Sequence, residues 1–324
     1  MHDLAMQVLR RLGDGGFHSG TLLARELDVS RSAISLAMKN VAHLGVRVYR
    51  IRGRGYCLET PIEFIDPARV LDLLGVSREK VRLEILGHAD STSTLLGERV
   101  ARGAPGGLCI LAEHQSAGRG RLGRIWHSGL GGALTFSLLW RFGRGASQLA
   151  GLSLAVSLAA IRSLRECGVS SATVKWPNDV LVNFRKLAGI LIETQGDMLG
   201  PSAAVIGVGV NYRLDEEVKD RIDQAVVDIA SLADEPVSRN VLFASLLKNL
   251  VEVLEQFERD GFIPFMQEWL DAHACHGRAV RVTRGSDAAF NAVVEGVAED
   301  GALLVKAGKH IIRLASAEIS LRTV

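Results

Sequence analysis

Three short stretches of this 324-residue chain carry residue types that could do chemistry. The first, GRGRLGRIW at 118–126, alternates Gly118, Gly120 and Gly123 with Arg119, Arg121 and Arg124 and closes on Trp126. Glycine lets a backbone bend and approach a ligand, at an entropic cost when it is held still. Each guanidinium presents a planar fork of donors that fits phosphate or carboxylate oxygens. Residues 114–165 hold seven arginines and no aspartate or glutamate, so the segment has no counterion of its own and wants an anion. The spacing predicts a loop that orders over its ligand and is mobile before, held open by repulsion among its arginines. The second stretch is KWPND at 175–179 followed by RKLAGIL at 185–191. Lys186 enters an apolar strand, where a fixed ammonium can offset the repulsion between a carboxylate and a phosphate; an ordinary strand-start lysine fits equally well. The third, HADSTST at 88–94, puts small hydroxyls at a strand–helix junction, where they can cap the helix or, with its N-terminal N–H groups, hold a ligand's polar atoms.

Rival chemistries fail on the same residues. Gly118, Gly120 and Gly123 match G-x-G-x-x-G, but no amphipathic helix opens at the third glycine and no acidic residue follows until Glu166, so a dinucleotide fold is excluded. No Gly-Lys-Ser/Thr occurs, which excludes a Walker A loop. Cys57, Cys109, Cys167 and Cys275 are far apart, which fits neither a disulfide framework nor a zinc ribbon and suits a reducing cytoplasm. HACH at 273–276 reads as a helix end with exposed histidines, because no second ligand cluster accompanies it. The apolar runs fall short of the roughly 18 uncharged residues of a membrane span, and the N-terminus lacks a signal core, so we expect no membrane association and a cytoplasmic location.

These stretches must be positioned by folded elements. The balance of 48% apolar and 23% charged residues is that of a globular protein, and a net charge of +2 marks no particular partner, so charge has to be read locally. We expect strands over 82–86, 108–112, 133–140, 172–176, 188–194 and 203–210, with a short strand after the WPND turn. Helices are expected over 94–102, 148–167, 240–256 and 263–272, and a short one within 60–75. Together they make a mixed sheet with helices. Before this lies GTLLARELDVSRSAISLAMKNVAHLG at 20–45: apolar residues at helical spacing, broken at Asp28–Val29, with Ser30 as an N-cap. The period then changes to that of a strand, and RGRG at 52–55 turns back into a second strand. Two helices and a basic hairpin make a winged helix-turn-helix. Residues 1–60 carry nine Lys/Arg against five Asp/Glu, a net of +4, and Ser30, Arg31, Ser32, Ser35, Lys39, Arg52 and Arg54 are candidate DNA contacts. A protein-docking winged helix is the other reading. Leu36 and Ala37 make the middle of the second helix less polar than a DNA reader requires. After 276 come five short strands, an SH3-like or OB-like small barrel that needs the central unit to pack on. The expected organisation is α+β and multidomain: 1–62, 63–274 and 275–324.

In this order, GRGRxGRxW, KWPND, RKLAGIL and GVGVN (207–211) resemble the biotin–protein ligase family, and more closely its bacterial bifunctional members, which are also biotin-operon repressors. The resemblance spans the chain and implies a class II synthetase-like ligase domain and an SH3-like C-terminal domain. It implies a reaction of biotin with ATP and Mg²⁺ to biotinyl-5′-AMP, then transfer to a lysine of a biotin carboxyl carrier protein. Operator DNA and a homodimer formed when biotinyl-AMP is bound are the further partners. Carried over by motif, Lys186 touches the biotin carboxylate and α-phosphate, Arg119 and Arg121 cover the intermediate, and Gly118 and Gly120 let the backbone approach. Ser91, Thr92 and Gln115 hold the biotin ring, with Ser93 where the family usually has Asn. Arg121, Arg124, Trp126, Lys175, Asn178 and Asn211 fall on the ATP side, and Asp179 is a candidate Mg²⁺ ligand. Leu122 and Ile125 stand where bifunctional members often have basic residues. A lipoate–protein ligase and a non-catalytic ligand-sensing transcription factor are the alternatives.

Overall fold

The computed structural model describes residues 2–42, 46–232, 235–284, 289–315 and 319–323; the expected C-terminal unit includes 285–288 and 316–318, which lie outside them. The chain starts with α1 (His2–Leu12), α2 (Gly20–Glu26) and α3 (Arg31–Ala42), then the antiparallel hairpin β1 (Val48–Ile51) and β2 (Gly55–Leu58). The Ser30 hydroxyl accepts from the Ala33 N–H at 3.1 Å and starts α3. The sequence reading did not include α1. Its Ala5, Met6, Val8, Leu9 and Leu12 are nevertheless at helical spacing, and they bury against Leu23, Ile34, Ala37 and Val41.

A joint containing α4 (Pro67–Leu73), capped by Asp66, leads into the central unit. There follow β3 (Arg82–Leu86), α5 (Thr92–Ala101), β4 (Leu108–Ala112), β5 (Ala133–Phe142), α6 (Leu152–Glu166), β6 (Thr173–Lys175), β7 (Asp179–Val182), β8 (Arg185–Gly196) and β9 (Ser202–Asn211). The short α7 (Glu216–Lys219), long α8 (Arg239–Asp260) and α9 (Met266–Ala272) complete it. The sheet order is β3-β4-β5-β9-β8-β7-β6, with β3 and β4 parallel and all other neighbours antiparallel. Two expected strands, 82–86 and 108–112, are found to the residue. The helix expected at 148–167 starts only at Leu152, because Gly151 takes φ 82°.

Strand alternation divides the sheet into two unlike faces. Leu134, Phe136 and Leu138 of β5 and Ala204, Ile206, Val208 and Val210 of β9 pack with α6 and α8 in the main core. The opposite face of the same strands carries Thr135, Ser137, Gly207, Gly209 and Asn211. There α5 covers only one end, through Leu96 and Val100 on Ile110, Leu139, Ala203 and Val205. The small residues beyond it leave space.

The last unit is the antiparallel sheet of β10 (Ala279–Arg284), β11 (Phe290–Val297), β12 (Leu303–Ala307), β13 (His310–Leu314) and β14 (Ile319–Thr323), in the order β13-β12-β11-β10-β14. Its Val280, Val294, Leu303 and Leu314 share one buried cluster with Trp269 of α9 and the central core. The fold is therefore α+β: an N-terminal winged helix-turn-helix, a mixed-sheet centre and a small all-β C-terminal unit. No helix among the described residues is long and apolar enough to cross a membrane.

Candidate active site

A cavity of about 950 Å³ fills the space left on the small-residue face of β5, β8 and β9. One wall is the N-terminus of α5. The Ser91 hydroxyl caps the helix, accepting from the Thr94 N–H at 3.4 Å, and the Thr92 N–H donates to Gln115 Oε1 at 2.7 Å. Thr92 and Ser93 lie on the cavity with hydroxyls 2.8 and 2.9 Å from that of Ser137. Ser91 lines the cavity as well, so the capping residue and the two hydroxyls beside it all belong to its wall.

The glycine–arginine loop forms the second wall and is a small hairpin. The Trp126 N–H donates to the Gly118 carbonyl at 2.8 Å and the Gly120 N–H to that of Arg124 at 2.7 Å; Leu122 (φ 56°) and Gly123 (φ 74°) make the turn. Gly118 packs on the Trp126 carbonyl and the Gln115 amide: a Cβ there would come within 2.5 Å of the first and 3.1 Å of the second. Arg119, Arg121 and Arg124 reach the cavity. The expected mutual repulsion is offset by partners far away in sequence. Arg119 pairs with Glu193 of β8, and Arg121 donates to Asn178 Oδ1 at 3.2 Å. Burial, with help from Arg124, pulls the Arg121 pKa below its ordinary value while Asp179 pulls it up; a guanidinium so placed stays charged. Trp126 is not stranded in water. It lies on Gly209, where a Cβ would come within 2.6 Å of the indole, and its Nε1 is buried without a partner.

Lys186 lines the same cavity, at the start of β8. Its backbone N–H donates to Ala225 at 2.9 Å and its carbonyl accepts from Val227 at 3.0 Å and from Asn211 Nδ2 at 3.2 Å. Its Nζ lies 2.8 Å from Asp179 Oδ1 and 5.8 Å from the Trp126 ring centroid. Lys175 lines the cavity beside it. Asn211 and Asn178 face the cavity, but their amide nitrogens are engaged by backbone: Asn211 on Lys186 and Val227, Asn178 on Ile190 at 2.7 Å. Asp179, expected to bind a metal, has an oxygen on Lys186. Among the described residues no three metal-capable side chains converge around it.

Three features escaped the sequence reading. Ser137 sits inside an apolar strand and reads there as core. Residues 221–226 reach the cavity rim from a stretch with no motif. His273 is buried (6% exposed), not exposed as expected; only His276 is at the surface. His273 Nε2 accepts from the Trp176 N–H at 3.3 Å, the ring stacks on Trp269, and burial pushes its pKa down to about 3, so it is neutral. It thereby holds the turn that carries Lys175 and Asn178.

On the winged helix, Arg31, Ser32 and Lys39 are exposed along α3 and Arg52 and Arg54 at the hairpin tip; Ser35 is half-buried and Ser30 is the cap. Ala37 belongs to the core (3% exposed), so only Leu36 of the apolar pair faces outward. Between this unit and the cavity lies a buried ion pair, Glu113 with Arg239, at 2.9 Å.

Comparison with known proteins follows the same division. Residues 5–57 match the HTH domain, 87–211 the Biotin/lipoate A/B protein ligase family and 275–322 the Biotin protein ligase C terminal domain. The chain is 35% identical to the Bifunctional ligase/repressor BirA of Salmonella typhimurium, over 98% of this chain and 97% of that one. Identity to the protein of the same name from Escherichia coli is 34% over the same shares. Among solved structures, the biotin protein ligase from Aquifex aeolicus in complex with biotin and ATP superposes with a TM-score of 0.63 at 28% identity, covering 75% of this chain and 99% of that one.

Proposed function

This chain belongs to the bifunctional ligase/repressor BirA family, and from that premise we propose that its cavity activates biotin and passes it to a carrier-protein lysine. In the first step a biotin carboxylate oxygen attacks the α-phosphorus of ATP and pyrophosphate leaves. In the second the neutral amine of a carrier lysine attacks the acyl carbon of biotinyl-5′-AMP and AMP leaves. The observation that carries the reading is the division of one cavity into a hydroxyl wall (Thr92, Ser93) and a cationic wall (Lys186, Arg119, Arg121, Lys175). A carboxylate needs no base to attack. What it needs is cations that offset the repulsion of two anions and receive the charge that develops. Lys186 is held by backbone and by Asp179 to do this, with Arg121 lining the same cavity. Asn211 fixes the lysine's backbone, and Trp126 offers an aromatic face. Magnesium would arrive on the phosphates of ATP, since Asp179 is engaged by Lys186. We take the reaction to run in the cytoplasm, which the four free cysteines suit. A lipoate-type acyl chain has no use for the hydroxyl wall. Incubation with ATP, Mg²⁺, biotin and a biotin carrier domain should give a carrier that streptavidin detects; an unlabelled carrier beside an active control contradicts the reading.

The exposed cations of α3 and the hairpin tip support operator DNA as a second partner, by phosphate contact. Dimerisation is supported by an open strand. From residue 191 onward, β8 pairs only with β9 among the described residues, and an unpaired edge invites a second copy. Glu193 lies in that stretch and holds Arg119, so closure of the loop and the state of the edge share one ion pair. Arg119→Ala removes a half-exposed pair worth up to about 1 kcal/mol. We expect biotinyl-AMP to escape about fivefold faster without a carrier, measured as free against enzyme-bound intermediate; equal escape contradicts a closing role.

A further inference from the structure

The hydroxyls of Thr92 and Ser93 converge on one atom, Ser137 Oγ, at 2.8 and 2.9 Å. All three residues are buried, Ser137 completely, at 0% exposed. Gly207 makes the room, since a Cβ there would come within 2.7 Å of Ser93 Oγ. A serine hydroxyl has one proton and two lone pairs. Its proton goes to at most one neighbour, so at least one of Thr92 and Ser93 spends its own proton on Ser137 and keeps only lone pairs for the cavity. Where Ser137 donates to the other, that hydroxyl keeps its proton, and the two line the cavity as one acceptor and one donor.

We propose that Ser137 is a positioning residue for substrate choice, which orients Thr92 and Ser93 as the donor–acceptor pair that recognises a cyclic urea. The carbonyl of a cyclic urea accepts and its N–H donates, so the pair matches it. The proposal rests on the biotin reading above and adds the residue that makes the site polar in a fixed sense. A site built this way rejects analogues that leave its buried groups unpaired.

The test compares biotin with 2-iminobiotin, in which a protonated imine donates where the urea carbonyl accepts. Pyrophosphate release gives kcat/KM for each with the full-length protein at neutral pH. Wild type should prefer biotin. Ser137→Ala should cut that preference about five- to tenfold, chiefly through KM for biotin. Ser137→Cys, a weaker donor, should fall between the two. Damage to packing alone slows both substrates alike and leaves the ratio unchanged. If wild type turns over neither compound, the biotin reading fails. If wild type prefers biotin and Ser137→Ala keeps the ratio within twofold, this proposal is overturned and the biotin reading stands. Should Ser137→Ala not fold, a wild-type ratio in Ser137→Cys overturns it.

Discussion

Replacing Lys186 by alanine is expected to slow formation of biotinyl-AMP by about 10²–10³-fold at saturating biotin and ATP, a loss of roughly 3–4 kcal/mol of transition-state stabilisation. Three observations set that size. The lysine side chain is 16% exposed, so water screens its charge poorly. Its backbone is tied on both sides, to Ala225 and Val227, so the charge is in place before substrate arrives. Its removal also leaves Asp179 without its 2.8 Å partner, turning a neutral pair into an anion on the wall that two anions must approach. Lys186→Arg should recover only part of the rate, because a planar fork does not replace a point charge beside the Trp126 ring. Single-turnover release of pyrophosphate measures the step; a loss of less than tenfold in Lys186→Ala means that the cation which meets the reacting groups is another one.

The second large effect is expected in stability. Glu113 and Arg239 are 0% and 1% exposed and 2.9 Å apart. Glu113 also accepts the Ile65 N–H at 2.7 Å and lies 3.9 Å from Arg10 of α1. Arg239 donates to the carbonyls of Glu63 and Ala133. Removing one member strands a charge away from water, at a cost of roughly 3–5 kcal/mol, whereas replacing both by apolar groups is often close to neutral. Glu113→Gln should therefore lower the unfolding midpoint by on the order of 10 °C, and Glu113→Leu with Arg239→Met should recover most of it. A midpoint within about 1 °C of wild type in Glu113→Gln contradicts the account. The pair's place makes the result informative about function. Glu113 follows β4 directly, its carbonyl accepts from the Gly131 N–H at 3.2 Å, and the glycine–arginine loop lies between these two ends. The same side chain reaches the joint and α1, so one buried pair anchors both the cavity loop and the winged helix.

Local patterns carried the sequence reading as far as local physics reaches. Strands 82–86 and 108–112 are short apolar runs between turn signals, and the structure starts and ends them where those signals lie. The GVGVN alternation marks a strand with one crowded and one empty face, and Gly207 and Gly209 are where the cavity lies. The α1 pattern is just as local: Ala5, Val8, Leu9 and Leu12 stand at helical spacing. Other features depend on partners that sequence distance hides. Arg119 looked unneutralised because Glu193 is 74 residues away. Ser137 is one hydroxyl in ALTFSLLW, a run that reads as core, and its role depends on α5 lying against β5. HACH offers no local signal that tells its two histidines apart; His273 is buried by its stacking on Trp269 and its bond from the Trp176 N–H, both set by the tertiary fold.

The most direct measurement is exchange of labelled pyrophosphate into ATP by the full-length protein without a carrier. If the cavity joins biotin's carboxylate to the α-phosphorus, exchange should require biotin, stay at background with lipoate, and fall about 10²–10³-fold in Lys186→Ala. No exchange with biotin, or equal exchange with lipoate, would contradict the assignment of this cavity to biotin activation.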